Sequence, residues 1–425
     1  MKRFLVLILP AALVGQVFHT GYLNPYNLYR ISNGREISLP FRLGEVDLGY
    51  SRGSLEVRTT LAWEMRWSTG PRRSRLEVRE ASVAWYPPFG EIRLGKQIHA
   101  WGSVDGNNPT DNLSPYDYYY LFLPGAGRKI GSVSLSAAGY AGDWEIRGVL
   151  IPGHEPNRLP FNESDFPISL PPEPARSFWG ELPDSVQYGI RVSRAFRVGD
   201  VSVSYFRGRD GIFSLVGMIF PPHTDTPVPR FGYRRTDVLG TDGVTFVGDL
   251  TLRGEAGFFR TVNDYDTRQF SLKMDGNASY IQYALELEYP GPSDVHLMGQ
   301  VIGQTVLSVD GETMDPVAGQ PVPLNKETFR AGLGTPFAMF IDRAFLAAAD
   351  GVLMDGRLDF TATVLAGLEE RGTMVGLSLD YSPVENWNLE GGFTLFRGGG
   401  AADGDNIFTD LEDFSHVQLG LKYAF

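Results

Sequence analysis

The sequence predicts an all-β chain that closes into a transmembrane, antiparallel, up-and-down β-barrel of about eighteen strands, or sixteen if the 43–50 segment belongs to an arm or plug. Three observations predict it. Segments of strand length carry apolar and polar residues in strict alternation, so each has one greasy and one wet face. Short turns alternate with long polar links along the chain, as the two rims of a membrane barrel require. The last eleven residues, Ser415 to Phe425, form such a strand, with Val417, Leu419, Leu421, Tyr423 and Phe425 on one face.

The N-terminal end is consistent with export. Lys2 and Arg3 precede an apolar run from Phe4 to Val14, followed by small residues, so residues 1–15 read as a signal peptide cleaved near Gly15 and 16–425 as the barrel. Beyond that run no stretch approaches the roughly 18 apolar residues of a membrane helix. The chain has 50 Gly, 27 Phe, 19 Tyr and 7 Trp, a composition suited to strands shared between lipid and water. It contains no Cys, which excludes disulfide stapling and thiolate chemistry. Net charge is −12, falling to −14 once Lys2 and Arg3 leave with the signal, and an acidic chain is no nucleic-acid binder.

In chain order, a first strand falls within 17–31 and a second at 43–50. The clearest strand spans 54–67: Leu55, Val57, Thr59, Leu61, Trp63, Met65 and Trp67 alternate with Glu56, Arg58, Thr60, Ala62, Glu64 and Arg66. In the next, 75–86, Leu76 and Val78 are out of phase with Ala81, Val83 and Trp85, which predicts a bulge near Glu80. Strands then follow at 90–101, 130–140, 142–151, 185–195, 199–208, 232–247, 250–262, 278–289, 294–308, 328–350, 356–368, 372–382, 386–397 and 414–425. Tight turns such as Gly142-Asp143, Gly248-Asp249 and Pro290-Gly291-Pro292 fall on one side. The long segments 102–129, 152–184, 209–231, 263–277, 309–327 and 398–413 fall on the other. Trp67, Trp85, Trp101, Trp144 and Trp387 stand at strand ends and, with Tyr423 and Phe425, are expected in aromatic girdles.

Charges of both signs on the wet faces are the candidate lumen residues: Glu56, Arg58, Glu64, Arg66, Arg93, Arg191, Arg253, Glu255, Glu286 and Glu288. Opposed charges across a constriction set up a transverse field that sorts solutes by charge and dipole. The competing reading is that they pair between neighbouring strands and stabilise the wall. The densest polar motif runs from Leu94 through Gly95, Gln97, Trp101 and Gly102 into a loop with Asp105, Asn107, Asn108, Pro109, Asp111, Pro115 and Asp117. A long loop placed there folds inward and narrows the pore. Its Asp and Asn residues lack the spacing of a calcium loop and serve more simply as turn formers. The acidic segment from Asp403 and Asp405 through Asp410, Glu412 and Asp413 is read as a solvated outer loop, with weak Ca2+ binding as its one metal option.

These motifs carry a resemblance. A chain stopping on an alternating strand with a final aromatic resembles the terminal strand of Gram-negative outer-membrane barrels, where that residue forms part of the signal read by the assembly machinery. The glycine-rich strand ending in Trp101-Gly102, the Asn108-Pro109-x-Asp111 loop and the charged run Arg253-Gly-Glu255-Ala-Gly-Phe258 resemble porin-like barrels related to alginate-export-type families. Lys96 stands where those barrels more often have Arg, so no substrate is carried over. The resemblance implies residence in the outer membrane among lipid and lipopolysaccharide, and passage of solutes without a cofactor.

The expected function is a porin-like channel for passive diffusion of small or anionic solutes. The alternatives are a polysaccharide exporter or surface-binding barrel, which needs a basic lumen, a plugged structural barrel, and an outer-membrane hydrolase. The last needs His99 or His416 within hydrogen-bond reach of a carboxylate or hydroxyl. Gly125 to Gly131 lacks the Gly-Lys-Ser/Thr ending of a phosphate loop.

Overall fold

The computed structural model describes residues 15–425 except 68–73, 122–124, 169–172, 223–226, 275, 315–319, 337–340, 370 and 400–406. The expected signal peptide, but for Gly15, and the acids Asp403 and Asp405 lie outside the described residues.

Eighteen strands form one closed antiparallel barrel. Strand β1 has two segments, Gln16–Leu23 and Tyr26–Arg30. It is followed by β2 (Phe41–Arg52), β3 (Leu55–Met65), β4 (Ser74–Trp85), β5 (Gly90–Gln97), β6 (Ser132–Ala141), β7 (Trp144–Ile151), β8 (Gln187–Phe196) and β9 (Gly199–Arg209). The circuit continues with β10 (Arg235–Val247), β11 (Leu250–Val262), β12 (Asn277–Pro290), β13 (Val295–Asp310) and β14 (Arg343–Leu353). It ends with β15 (Leu358–Gly367), β16 (Gly372–Val384), β17 (Trp387–Gly398) and β18 (His416–Ala424). Every strand pairs with its sequence neighbour, so the ladder follows chain order around the ring.

The ring closes where β1 changes partner. Its first segment pairs with β2, from Gln16 opposite Ser51 to Leu23 opposite Gly44. Its second pairs with β18, from Tyr26 opposite Gly420 to Arg30 opposite His416. Pro25, which has no N–H, sits at the switch. Gly21 and Phe425 exchange reciprocal main-chain hydrogen bonds of 2.9 Å, sealing the seam. Among the described residues the barrel sheet has no free edge.

The alternation dictates the two faces. Leu55, Val57 and Trp63 on β3, Val201 and Val203 on β9, Leu285 and Leu287 on β12 and Leu419 on β18 all point outward and are exposed, as a lipid-facing band requires. The bulge expected near Glu80 is present: Thr60 pairs with Glu80 and Leu61 with Val78, so Arg79 is the extra residue. Trp85, Trp144, Trp387 and Phe425 are exposed at the short-turn rim, where Tyr423 packs on Trp387 with ring centroids 4.8 Å apart.

Two of the expected girdle residues are elsewhere. Strand β5 stops at Gln97, because Glu80 accepts the Ile98 N–H at 2.8 Å and Ser114 accepts that of His99 at 2.8 Å, drawing the chain off the wall. Trp101 therefore lies inside the barrel, 4% exposed. Trp67, past the end of β3, turns inward and donates its indole N–H to the Tyr26 carbonyl at 2.8 Å, where β1 has parted from β2. The strand expected over 328–350 is also shorter. Only Arg343–Leu353 is wall, because Phe329 and Ala331 bury their apolar side chains inside the barrel rather than against lipid.

Those residues belong to an apolar cluster within the lumen. Inward-facing Val149, Ile151, Phe206, Val238, Phe259 and Tyr280 of the wall pack against Trp101, Leu113, Phe329 and Ala331 of the inserted loops. The interior is thus part solvent space and part protein core.

Candidate functional site

The loop between β5 and β6, residues 98–131, enters the lumen and is held by wall carboxylates. Gly102, at φ +101°, takes the chain past Glu255 so closely that a Cβ there would overlap the carboxylate. Glu255 then accepts hydrogen bonds from Ser103 N–H (3.0 Å), the Asn108 amide (3.1 Å), and both the N–H (2.8 Å) and hydroxyl (2.6 Å) of Thr110. Glu286 accepts the Asp105 N–H at 2.8 Å, and Asn107 donates to Gln300 at 2.8 Å. A loop buried in a barrel must find acceptors for its main-chain N–H groups, and here the wall supplies them.

Two further segments lock onto the first. Arg158 makes a bidentate contact with Glu64, at 2.6 and 2.9 Å, and reaches Asp117 at 3.0 Å. Glu163 binds Arg66 at 2.5 Å and the Tyr119 hydroxyl at 2.8 Å. Between β13 and β14, the Thr335 N–H donates to the Gln282 side chain at 2.9 Å, and Gly334 leaves room for it. All five inward-loop candidates therefore lie in the lumen: Asp105, Asn107 and Asn108 on the wall, Asp111 on Lys129 (3.1 Å), and Asp117 on Arg158.

Most of the charged lumen candidates are engaged by neighbours. Arg58 pairs with Asp47 (2.5 Å), Arg93 with Glu91 (2.8 Å) and Arg191 with Asp242 (2.6 Å). Arg253 pairs with Glu286 (2.5 Å) and, more closely still, with Glu288. Glu56 accepts a hydrogen bond from the Tyr86 hydroxyl at 3.4 Å. Asp105, Glu286 and Glu288 converge as a metal site would, but Arg253 already supplies the cation there.

The uncompensated charges are ones the sequence reading missed. Arg42 of β2, Arg79 at the bulge, and Arg128 and Lys129 at the loop's return converge on one patch of the interior. Arg42 donates to the Gly127 carbonyl at 2.5 Å and Arg79 to the Lys129 carbonyl at 3.3 Å, bracketing Arg128. Glu45 neutralises Arg79 at 2.8 Å and Asp111 neutralises Lys129. Arg42 and Arg128, 8% and 5% exposed, pair with no carboxylate among the described residues, and the Nε of each has no hydrogen-bond partner. Instead their guanidinium planes face tyrosines: Arg42 lies 4.1 Å from the Tyr120 ring centre and Arg128 5.6 Å from that of Tyr116. Burial pulls Lys129 down to about 8 and lifts the Asp111 carboxyl, while their mutual attraction opposes both shifts.

Signals for this cluster were present in the sequence. Arg79 is the residue that breaks the alternation of β4, and Arg128-Lys129 closes a long loop. Arg42 was masked by a second bulge, between Arg42 and Gly44, which turns it inward.

Farther round the ring, Asp359, Asp380 and Glu390 face the lumen as direct cross-strand partners on β15, β16 and β17. Glu390 accepts a hydrogen bond from Asn24 at 2.9 Å, and none of the three enters an ion pair among the described residues. Among the described residues, the lumen thus holds two guanidinium groups without carboxylates beside the inserted loop and three carboxylates without ion pairs on β15–β17.

His99 and His416 are sequestered. His99 Nε2 lies 2.9 Å from the Ser134 hydroxyl, but both residues are buried; His416 Nδ1 contacts the Phe414 carbonyl at 2.7 Å. Glu412 and Asp413 of the acidic loop are engaged by the Gly398 N–H and by Arg30.

Comparison with solved structures recovers this architecture. Pseudomonas aeruginosa OccK2 (OpdF), in complex with glucuronate, matches over 96% of this chain and 96% of its own, with a TM-score of 0.52 at 12% identity. P. aeruginosa OccK5 (OpdH) matches over 96% and 98%, at 0.51 and 10%. A BenF-like porin from Pseudomonas fluorescens Pf-5 matches over 97% and 98%, at 0.51 and 10%. The chain has the fold of these outer-membrane barrels. No family model and no curated protein matches the sequence.

Proposed function

We propose that the protein is a channel of the bacterial outer membrane through which small anionic solutes diffuse passively. The observation that carries the reading is the pair Arg42 and Arg128: two guanidinium groups, buried beside the inserted loop and left without carboxylates. Burying a charge without a partner is costly, so such a site attracts an anion that restores the lost hydrogen bonds. Guanidinium forks suit carboxylate oxygens, and the neighbouring Arg79 and Lys129 are already neutralised by Glu45 and Asp111, which keeps the hold weak enough for release.

The three carboxylates on β15–β17 lie toward the short-turn rim and Arg42 at the long-loop end of β2, so opposite charges are separated along the barrel and a solute meets them in succession. The many paired charges elsewhere make the lumen mixed in sign, which favours a diffusion channel over an exporter of acidic polysaccharide. The neighbour OccK2 was solved with glucuronate, a sugar carrying a carboxylate, and a solute of that class fits the same chemistry here.

Planar-bilayer recording tests the reading. In a salt gradient the folded barrel should conduct with a reversal potential on the anion side, and the double substitution Arg42→Ala, Arg128→Ala should move that potential toward the cation side. A folded barrel that never conducts, or a double variant with unchanged selectivity, would refute it.

A further inference from the structure

The outer surface of the barrel carries a polar row close to the long-loop rim. Tyr188, Arg207, Asp237, Arg260, Ser279 and Ser308 are successive cross-strand partners from β8 to β13. Each stands one or two residues in from the long-loop end of its strand. Alternation puts the row on the lipid side. Two residues nearer the short turns, the same face presents Leu239 and Phe258, 56% and 41% exposed.

The charges in this row do not cancel. Asp237 lies between the two arginines, accepts the Tyr205 hydroxyl at 2.6 Å and pairs with Arg207 at 3.8 Å. Arg260 is exposed and forms no ion pair among the described residues. The row therefore keeps one positive charge in excess, on a chain whose net charge is −12. By contrast Arg343, on the outward face of β14, is matched by Glu369 at 3.2 Å. Next to Arg260, the Ser279 and Ser308 hydroxyls hydrogen-bond each other at 2.6 Å. One proton serves that bond, so the pair keeps a second donor for a ligand.

A guanidinium at the edge of hydrocarbon can reach up to water, which would satisfy Arg260 alone and leave the spare hydroxyl donor beside it without a role. A cation and a donor together, directly above an apolar wall, match a molecule with a phosphate head and acyl chains. We propose that Arg260, with the Ser279–Ser308 pair, holds a phosphate group of the outer-leaflet glycolipid, the phosphorylated lipid of lipopolysaccharide, whose acyl chains lie along Leu239 and Phe258. Arg207 keeps Asp237 neutralised, so the one carboxylate of the row does not repel the phosphate. A free phosphate ion meets the same donors but buries nothing against the apolar wall, and the wall therefore selects the lipid. The site belongs to the outer surface and is independent of what passes through the lumen.

The test is native mass spectrometry of the full-length folded barrel released from detergent, with bisphosphorylated lipid A as probe and its dephosphorylated form as control. The wild type should retain the phosphorylated lipid about fivefold more than the control, the worth of one arginine at a charged membrane surface. Arg260→Gln, at an exposed position, should erase that preference. Arg397→Gln, which removes an exposed arginine at the long-loop end of β17, should leave it intact. Both variants should keep the heat-modifiable mobility of the closed barrel. Equal retention of the two lipids by the wild type, or a preference untouched by Arg260→Gln, overturns the proposal. So does an equal loss in Arg397→Gln, which would reduce the effect to general attraction between a rim charge and an anionic surface. Displacement of the lipid by an equal amount of inorganic phosphate would assign the site to the free ion and overturn it as well.

Discussion

The Glu255 carboxylate of β11 accepts both the main-chain N–H and the hydroxyl of Thr110, at 2.8 and 2.6 Å. With Ser103 and Asn108 it gathers four donors from the inserted loop and no cation. Buried donors that lose their acceptor each cost about 1–3 kcal/mol. In Glu255→Ala, amides 103–110 should exchange hydrogen markedly faster and the open channel should become noisier, whereas Glu255→Gln, which keeps one acceptor oxygen, falls between. Unchanged protection across 103–110 in the alanine variant would show that the loop is held elsewhere.

Leu285 tests the lipid-facing band. It sits within β12, 59% exposed on the outer face, while its neighbour Ala284 is fully buried inside. Leu285→Arg should destabilise the folded barrel in bilayers by about 2–4 kcal/mol, the range for a cation near the midplane. Urea unfolding in liposomes measures this. A cost below about 0.5 kcal/mol would mean that Leu285 does not face hydrocarbon.

Acid stability reports on the loop histidines. Burial lowers His99 from its ordinary 6.5 to about 4, and His154 likewise to about 4. Between those values the unfolded chain takes up protons that the folded one refuses, so the two imidazoles' contribution to stability is lost as pH drops from 6.5 to 4 and falls no further below it. His99 alone accounts for up to about 3 kcal/mol of that loss. His99→Gln should flatten the dependence of thermal midpoint on pH in that window; a slope equal to wild type would discount burial as the cause.

The seam depends on the last residue. Phe425 exchanges two main-chain hydrogen bonds with Gly21, and each such bond contributes about 1 kcal/mol. Removing Phe425 should lower the temperature at which the barrel loses its compact, heat-modifiable mobility on gels, more than Phe425→Ala does, since alanine keeps the backbone pair. Equal losses in the two variants would assign the effect to the ring instead.

The barrel was legible in the sequence because its determinants are local. Alternation along β3, β9 and β12 assigns each residue a face, and a single phase break predicted a bulge near Glu80, which the register places at Arg79. The C-terminal alternation from Val417 to Phe425 marks a strand whatever it pairs with. The same rule failed at Trp67, Trp101, Phe329 and Ala331, which leave the wall for the interior. An apolar side chain buried inside the lumen and one facing lipid carry the same signal in sequence, and only the destination of the backbone separates them.

Strand order and faces were thus legible in residue pattern, since hydrocarbon outside and water inside act on each side chain one position at a time, while the choice of eighteen strands over sixteen came with the closed ring. Which charges remain unpaired was decided by the closed tertiary structure. Arg42, Arg79 and Arg128 are brought together from β2, β4 and the end of an inserted loop, and their partners depend on distances between strands that no local pattern encodes. Charge compensation acts through space, so the residues that distinguish this barrel emerge only when the ring closes around the loop.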